Sequence, residues 1–304
     1  MTSPAPAPLA YYALAGPFTD LGPHAGEASR LSGDVASLVA VVQNLLIHRF
    51  WAQAYGVSVT PDRATEQGLH GAQAMLSCAR GLQDSSISDP RPPDRRVVGI
   101  CRHFATLLCA FLRLHGVPAR ARCGFAAYFE PGKYVDHWGC EYWRPGEARW
   151  VMVDPQLDLL QRTAVKPDFD PLDVPGERFW VAGQAWQRCR AGQADPSNFG
   201  IAHMWGLWYV RSNLNLDVAS LNKVELLPWE TWGLSGRRDQ ELTPDDLATL
   251  DTVARLSTHD DGDTAELRAL YQRHPALRVP DAMLAVIRAA DPTGGTGANP
   301  LTSG

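Results

Sequence analysis

The chain has 304 residues, of which 45% are apolar and 20% charged. That balance fits a globular protein long enough to bury a sizeable core. The formal net charge is -5 at pH 7 and no Lys/Arg cluster overrides it, so no nucleic-acid partner is expected.

Residues 1–9 are rich in Pro and Ala and read as loose. This start lacks the basic region and sustained apolar run of a secretory signal. The stretch VASLVAVVQNLLI, Val35 to Ile47, is broken by Ser37, Gln43 and Asn44 and is too short and polar to span a bilayer. The expected setting is cytoplasmic, with no membrane partner. The six cysteines, Cys78, Cys101, Cys109, Cys123, Cys140 and Cys189, then read as reduced thiols.

Val35, Leu38, Val42, Leu46 and Phe50 recur near helical spacing and predict a helix over 34–55. A second helix is expected over 65–82, followed by the polar loop QDSSISDPRPPDRR. Val97 begins the stretch VVGICRHF. From Cys101 to Leu114 the apolar Phe104, Leu107, Leu108, Phe111 and Leu112 predict a helix, stopped by Gly116 and Pro118. Three strands follow, at 119–129, 135–143 and 149–153, separated by the turns EPGK and RPGE. A helix followed by an antiparallel meander is an α+β signature. Residues 165–235 hold six tryptophans and read as helical, with aromatic rings mainly for the core. Thr243-Pro-Asp-Asp has the marks of another helix start.

Cys101 is the thiol whose position stands out. It opens a helix, where unpaired backbone N–H groups and the positive end of the dipole stabilise a thiolate and can hold an oxyanion. Cys109, Cys123 and Cys140 are mid-element. A nucleophilic thiol needs a base, and the base needs an orienting group. His137 lies in the second strand and Asp154 ends the third, so a hairpin across RPGE brings them near each other.

The text G-I-C-R-H-F-A, then D-H-W-G-C-E-Y-W, then W-V-M-V-D-P resembles the transglutaminase-like superfamily over about residues 95 to 160. The family order is a Cys opening a helix, a His on a following strand and an Asp ending the next. Those positions here are Cys101, His137 and Asp154. The resemblance implies a papain-like α+β fold and thioester chemistry on an acyl donor, with an amine or water as acceptor. It implies no cofactor and no metal. A zinc site from the cysteines and His103 is not expected, because no CxxC or HxxxH pair is present. The second oxyanion donor in the family comes from a side chain well upstream, for which Trp51, Gln67 and Gln73 are candidates.

The family commonly has H-x-W-x-E on the His strand. Here Gly139 stands at the Trp position and Trp138 is one place off, on the opposite strand face. Open space beside the imidazole is expected, with Gly139 and His103 as substrate contacts. Residues 1–235 read as the catalytic domain, 236–290 as a small helical appendage and 291–304 as a disordered tail. The expected activity is acyl transfer through a Cys101 thioester. The alternatives are a peptidase or amidase on the same triad and a non-catalytic interaction module.

Overall fold

Asp34 accepts a hydrogen bond from Ser37 N and so caps helix α1 (Val35–Leu45). The computed structural model describes residues 7–258 and 264–291. Residues 1–6 and 292–304, which hold most of the expected loose start and tail, lie outside the described residues. Ala7–Tyr12 is a short helix, and Tyr12 is fully buried.

The helix expected over 34–55 stops at Leu45. Leu46–His48 is strand β1, paired in parallel with β2 (Val97–Gly99), with Leu46 opposite Val97 and His48 opposite Gly99. Helical spacing continues through this stretch, but the buried Leu46 and Ile47 gain more from the ladder, and tertiary pairing overrides local pattern. The helix expected over 65–82 is α2 (Ala72–Leu82), preceded by a short 3-10 turn at Thr65–Gly68. Gly71 is its N-cap.

Helix α3 (Cys101–Leu114) matches the sequence expectation, and every residue in it except Leu114 is buried. A helix enclosed on all sides is a core helix. One side meets α1 and α2 through Phe104, Leu107, Leu108 and Phe111. The other side lies on the sheet. Its buried guanidiniums are held by oxygen atoms, although Arg102 Nε and Arg113 Nη2 have no partner among the described residues: Arg102 Nη1 donates to His70 O at 2.6 Å, and Arg113 Nε donates to Ala119 O at 2.9 Å.

The fold is α+β. Strands β3 (Ala119–Ala126), β4 (Tyr134–Arg144) and β5 (Arg149–Val153) form the expected antiparallel meander. After α4 (Leu159–Val165), strand β6 (Phe179–Val181) pairs with the free edge of β3. Helix α5 (Ala182–Arg190), strands β7 (Phe199–Ile201) and β8 (Met204–Trp205) and helix α6 (Leu207–Leu221) follow. The segment 165–235 is therefore mixed rather than helical. Trp186 and Trp232 are core residues, whereas Trp208 and Trp229 are exposed. Helices α7 (Pro244–Ser257), α8 (Thr264–Arg273) and α9 (Asp281–Ala290) complete the described chain. Leu250, Val253 and Ala254 of α7 join the same buried cluster as α5 and α6. Thr243 caps α7 as expected, its hydroxyl accepting from Asp246 N at 3.2 Å.

One feature of the sheet positions the site. Strand β3 occupies one edge of β4, so β5 and β7 share the other. Strand β5 covers Cys140–Arg144 and β7 covers Tyr134–Val135. Residues 136–139 have no strand on that edge among the described residues, and His137 lies in the gap. No helix among the described residues is long and apolar enough to cross a membrane.

Candidate active site

Gly99 ends β2, Ile100 is extended and Cys101 begins α3. A Cβ on Gly99 would stand 3.0 Å from His103 Cβ, so this approach of strand to helix leaves little room for a side chain. Cys101 thus enters the first turn, where the leading N–H groups have no helical partner.

The ladder explains how base and acid meet. Cys140 pairs with Val153, so Asp154 is one step beyond the ladder, next to Gly139 and diagonal to His137. His137 Nε2 lies 2.8 Å from Asp154 Oδ2. Cys101 also acts on the imidazole, its sulfur accepting from the protonated ring, and with Nε2 turned to Asp154 the nitrogen left for sulfur is Nδ1. Burial opposes a charged ring, but the Asp154 charge and hydrogen bond outweigh it, with help from Cys101. The His137 pKa is raised to about 10. Burial likewise opposes the Asp154 carboxylate. The charge and hydrogen bond of His137, the Tyr128 hydroxyl and Gln156 N reverse that, and its pKa is lowered. Tyr128 Oη donates to Asp154 Oδ2 at 2.6 Å, and Gln156 N donates to Oδ1 at 3.0 Å.

Aromatic rings collar the imidazole. Phe129, Tyr128 and Phe179 meet it edge-on with centroids at 4.9, 6.1 and 6.2 Å. The first two come from the segment between β3 and β4, and Phe179 comes from β6. Such a collar keeps water from that side and strengthens the His137–Asp154 interaction.

The remaining cysteines differ. Burial pushes Cys78 up to about 12 and Cys189 to about 11. It pushes Cys123 and Cys140 well above the usual thiol range. Cys109 is fully enclosed.

Two expected substrate contacts do not fit this geometry. His103 is fully buried, and its Nδ1 accepts from Ile100 N at 3.2 Å, so the ring serves the start of α3. Burial, then the charges of Arg102, His70 and His48, hold it neutral. Gly139 does not open a space beside the imidazole. A Cβ there would stand 2.5 Å from Met152 Sδ and 3.2 Å from Val153 O, so Met152 fills the site expected to be empty. Gln67 has both ends of its amide engaged, with Arg49 Nη1 at 3.1 Å and Ala64 O at 2.9 Å. Glu141 accepts from Arg120 and Arg122 and takes no part in the His137 pair. Among the described residues, no group of three or more His, Cys, Asp or Glu is placed to hold a metal ion.

Residues 82–155 match the model of the transglutaminase-like superfamily. Over that stretch, about a quarter of its length, the chain is similar to the core of that superfamily. That stretch contains Cys101, His137 and Asp154, and it supports a cysteine enzyme at the level of the family. No curated protein matches the chain. Among solved structures, a candidate cysteine protease from Cytophaga hutchinsonii aligns at 16% identity and a TM-score of 0.33. The alignment covers 50% of this chain and 43% of that one, so less than half of that protein's length is spanned. A likeness this distant carries no argument.

Sequence reasoning missed Tyr128, Phe129, Phe179 and His48. The first two fall in the last residues of the strand expected over 119–129, whereas β3 stops at Ala126 and frees them to reach the imidazole. His48 was hidden inside an apparent helix. Its readable signal was position alone, three residues into a run that could have been a strand.

Proposed function

We propose that the protein is an acyl-transferring cysteine enzyme in which Cys101 is the nucleophile, His137 the proton carrier and Asp154 the orienting group. The observation that carries this reading is the convergence of the three side chains at the gap in the β4 edge. A protonated His137 beside Cys101 stabilises a thiolate, as does the helix start. The thiolate attacks an acyl carbonyl, a C–S bond forms and the carbonyl oxygen becomes an oxyanion. The intermediate collapses, the bond to the amine or alcohol breaks, and His137 gives that group its proton. Water or an amine then attacks the thioester, returns a proton to His137 and releases the Cys101 thiolate. Asp154 holds the ring in place through Nε2 and stabilises the imidazolium. The dry aromatic collar and the buried acid–base pair would serve no purpose in a module that only binds.

Brief treatment with iodoacetamide near pH 6, followed by mass mapping, tests this. Cys101 is expected to be labelled ahead of the five other cysteines, four of which are pushed up by burial. A different leading cysteine, or none, would overturn the reading.

A further inference from the structure

A tetrahedral oxyanion needs two donors, and the backbone N–H at Cys101 supplies one. Resting on the function proposed above, we propose that His48 is the second donor, with its Nε2–H aimed at the oxygen of the acyl group that Cys101 attacks.

The placement follows from the small parallel ladder. His48 ends β1 opposite Gly99, and the chain runs from Gly99 through Ile100 into Cys101. Nucleophile and imidazole therefore emerge from the same end of one strand pair. The His48 ring lies with its centroid 6.4 Å from Phe104, in the first turn of α3, and 5.6 Å from Phe50. It is close enough to His137 and Asp154 for both their charges to act on it.

The tautomer follows from one hydrogen bond. His48 Nδ1 accepts from Phe50 N at 3.3 Å, so the proton of the neutral ring is on Nε2. Among the described residues Nε2 has no hydrogen-bond partner. Burial and the His137 charge push the His48 pKa down to about 3, with Asp154 opposing only in part. The ring is thus neutral at any working pH. It can donate a hydrogen bond without competing for the proton that His137 must carry. When the C–S bond forms, the carbonyl electron pair moves to oxygen and His48 donates to it. When the leaving group departs the carbonyl reforms, and His48 keeps its proton throughout.

Two reactions of the same thiol separate this role from a structural one. Acylation by p-nitrophenyl acetate passes through an oxyanion. Alkylation by iodoacetamide displaces iodide and forms none. His48→Phe keeps a ring of similar size without the donor, His48→Ala removes the ring, and His48→Gln keeps an N–H. The expected result is a fall of about 100-fold or more in the p-nitrophenol burst rate for the Phe and Ala variants. Iodoacetamide labelling of Cys101 should stay within about threefold, and the Gln variant should recover part of the burst. Thermal melts identify a variant that fails to fold, and the other donor-less variant then decides. An unchanged burst in a folded donor-less variant overturns the proposal. So does a parallel loss of both reactions, which would mean that His48 acts on the thiol. Absence of any Cys101 adduct in the wild type would instead bring down the enzyme reading on which the proposal rests.

Discussion

Tyr128 and His137 converge on one oxygen of Asp154: the hydroxyl donates to Oδ2 at 2.6 Å and the imidazole Nε2 lies 2.8 Å from the same atom. The carboxylate is thereby fixed from two sides, while Gln156 N holds its other oxygen. Removing Tyr128's donor would leave a buried carboxylate lighter by one partner and its imidazole freer to tilt. Tyr128→Phe should slow p-nitrophenyl acetate acylation by about tenfold and cost about 1 kcal/mol of stability. Asp154→Asn should be far worse, about 1,000-fold or more, because the ring loses its orienting charge. Equal effects of the two variants in burst kinetics would show that Tyr128 does more than steady the acid.

The His137 pair also predicts how stability depends on pH. The ring's pKa rises from 6.5 to about 10 on folding, so the folded chain keeps a proton that the unfolded chain releases. That contribution is complete below pH 6.5 and is lost as pH climbs through about 10. Asp154 has the opposite sense. Its lowered pKa contributes above the ordinary 3.8 and is lost on acidification. The melting temperature should therefore fall between pH 7 and pH 10, and His137→Gln should flatten that slope. Parallel wild-type and variant curves over this range would contradict the assignment.

The core of the site was legible because its parts are local. A thiol at a helix start, a histidine in a strand and an aspartate at the next strand's end each leave a mark in the text, and the RPGE turn links the last two. The α3 helix and the β3–β4–β5 meander were readable for the same reason. Interactions between distant segments left no such mark. Leu46–His48 follows helical spacing, yet it pairs with Val97–Gly99, some fifty residues later. Met152 fills the space beside Gly139 from the neighbouring strand, and no count along β4 reveals it. In 165–235 short strands β6, β7 and β8 are set by pairing with β3, β4 and each other rather than by their own pattern.

Arg122 ties the sheet to α6. Its Nε and Nη2 donate to the two oxygens of Asp217 at 3.0 and 2.9 Å, Nη1 reaches Glu141 and Nη2 reaches Ser257 O at 3.0 Å. Asp217 Oδ1 also accepts from Cys123 N at 3.0 Å. Neither side chain touches water to any extent. Asp217→Ala would leave a buried guanidinium short of its main partner and should cost about 3–5 kcal/mol in denaturant unfolding. Arg122→Met with Asp217→Leu should cost much less, because both charges leave together. A double variant as unstable as the single one would mean that the pair does more than neutralise itself.

Gly139 offers the last test, because family resemblance and packing give opposite expectations for it. If the position faced an open channel, a side chain there would be tolerated and would only narrow the cleft. The structure instead puts Met152 Sδ and Val153 O where the first carbon would go. The thioether can swing away, but the backbone oxygen can move only if β5 shifts. Because Asp154 follows Val153 directly, such a shift would also disturb the His137 pair. Gly139→Ala should therefore cost about 1–3 kcal/mol by overpacking and should slow acylation as well. Met152→Ala in the same chain should restore part of the stability by clearing the thioether. A double-mutant cycle should then show a favourable coupling of about 0.5 kcal/mol or more. The acylation rate should recover less than the stability, since the contact with Val153 O remains. Full recovery of both would place the whole cost on Met152. A Gly139→Ala variant as stable and active as wild type would restore the open channel.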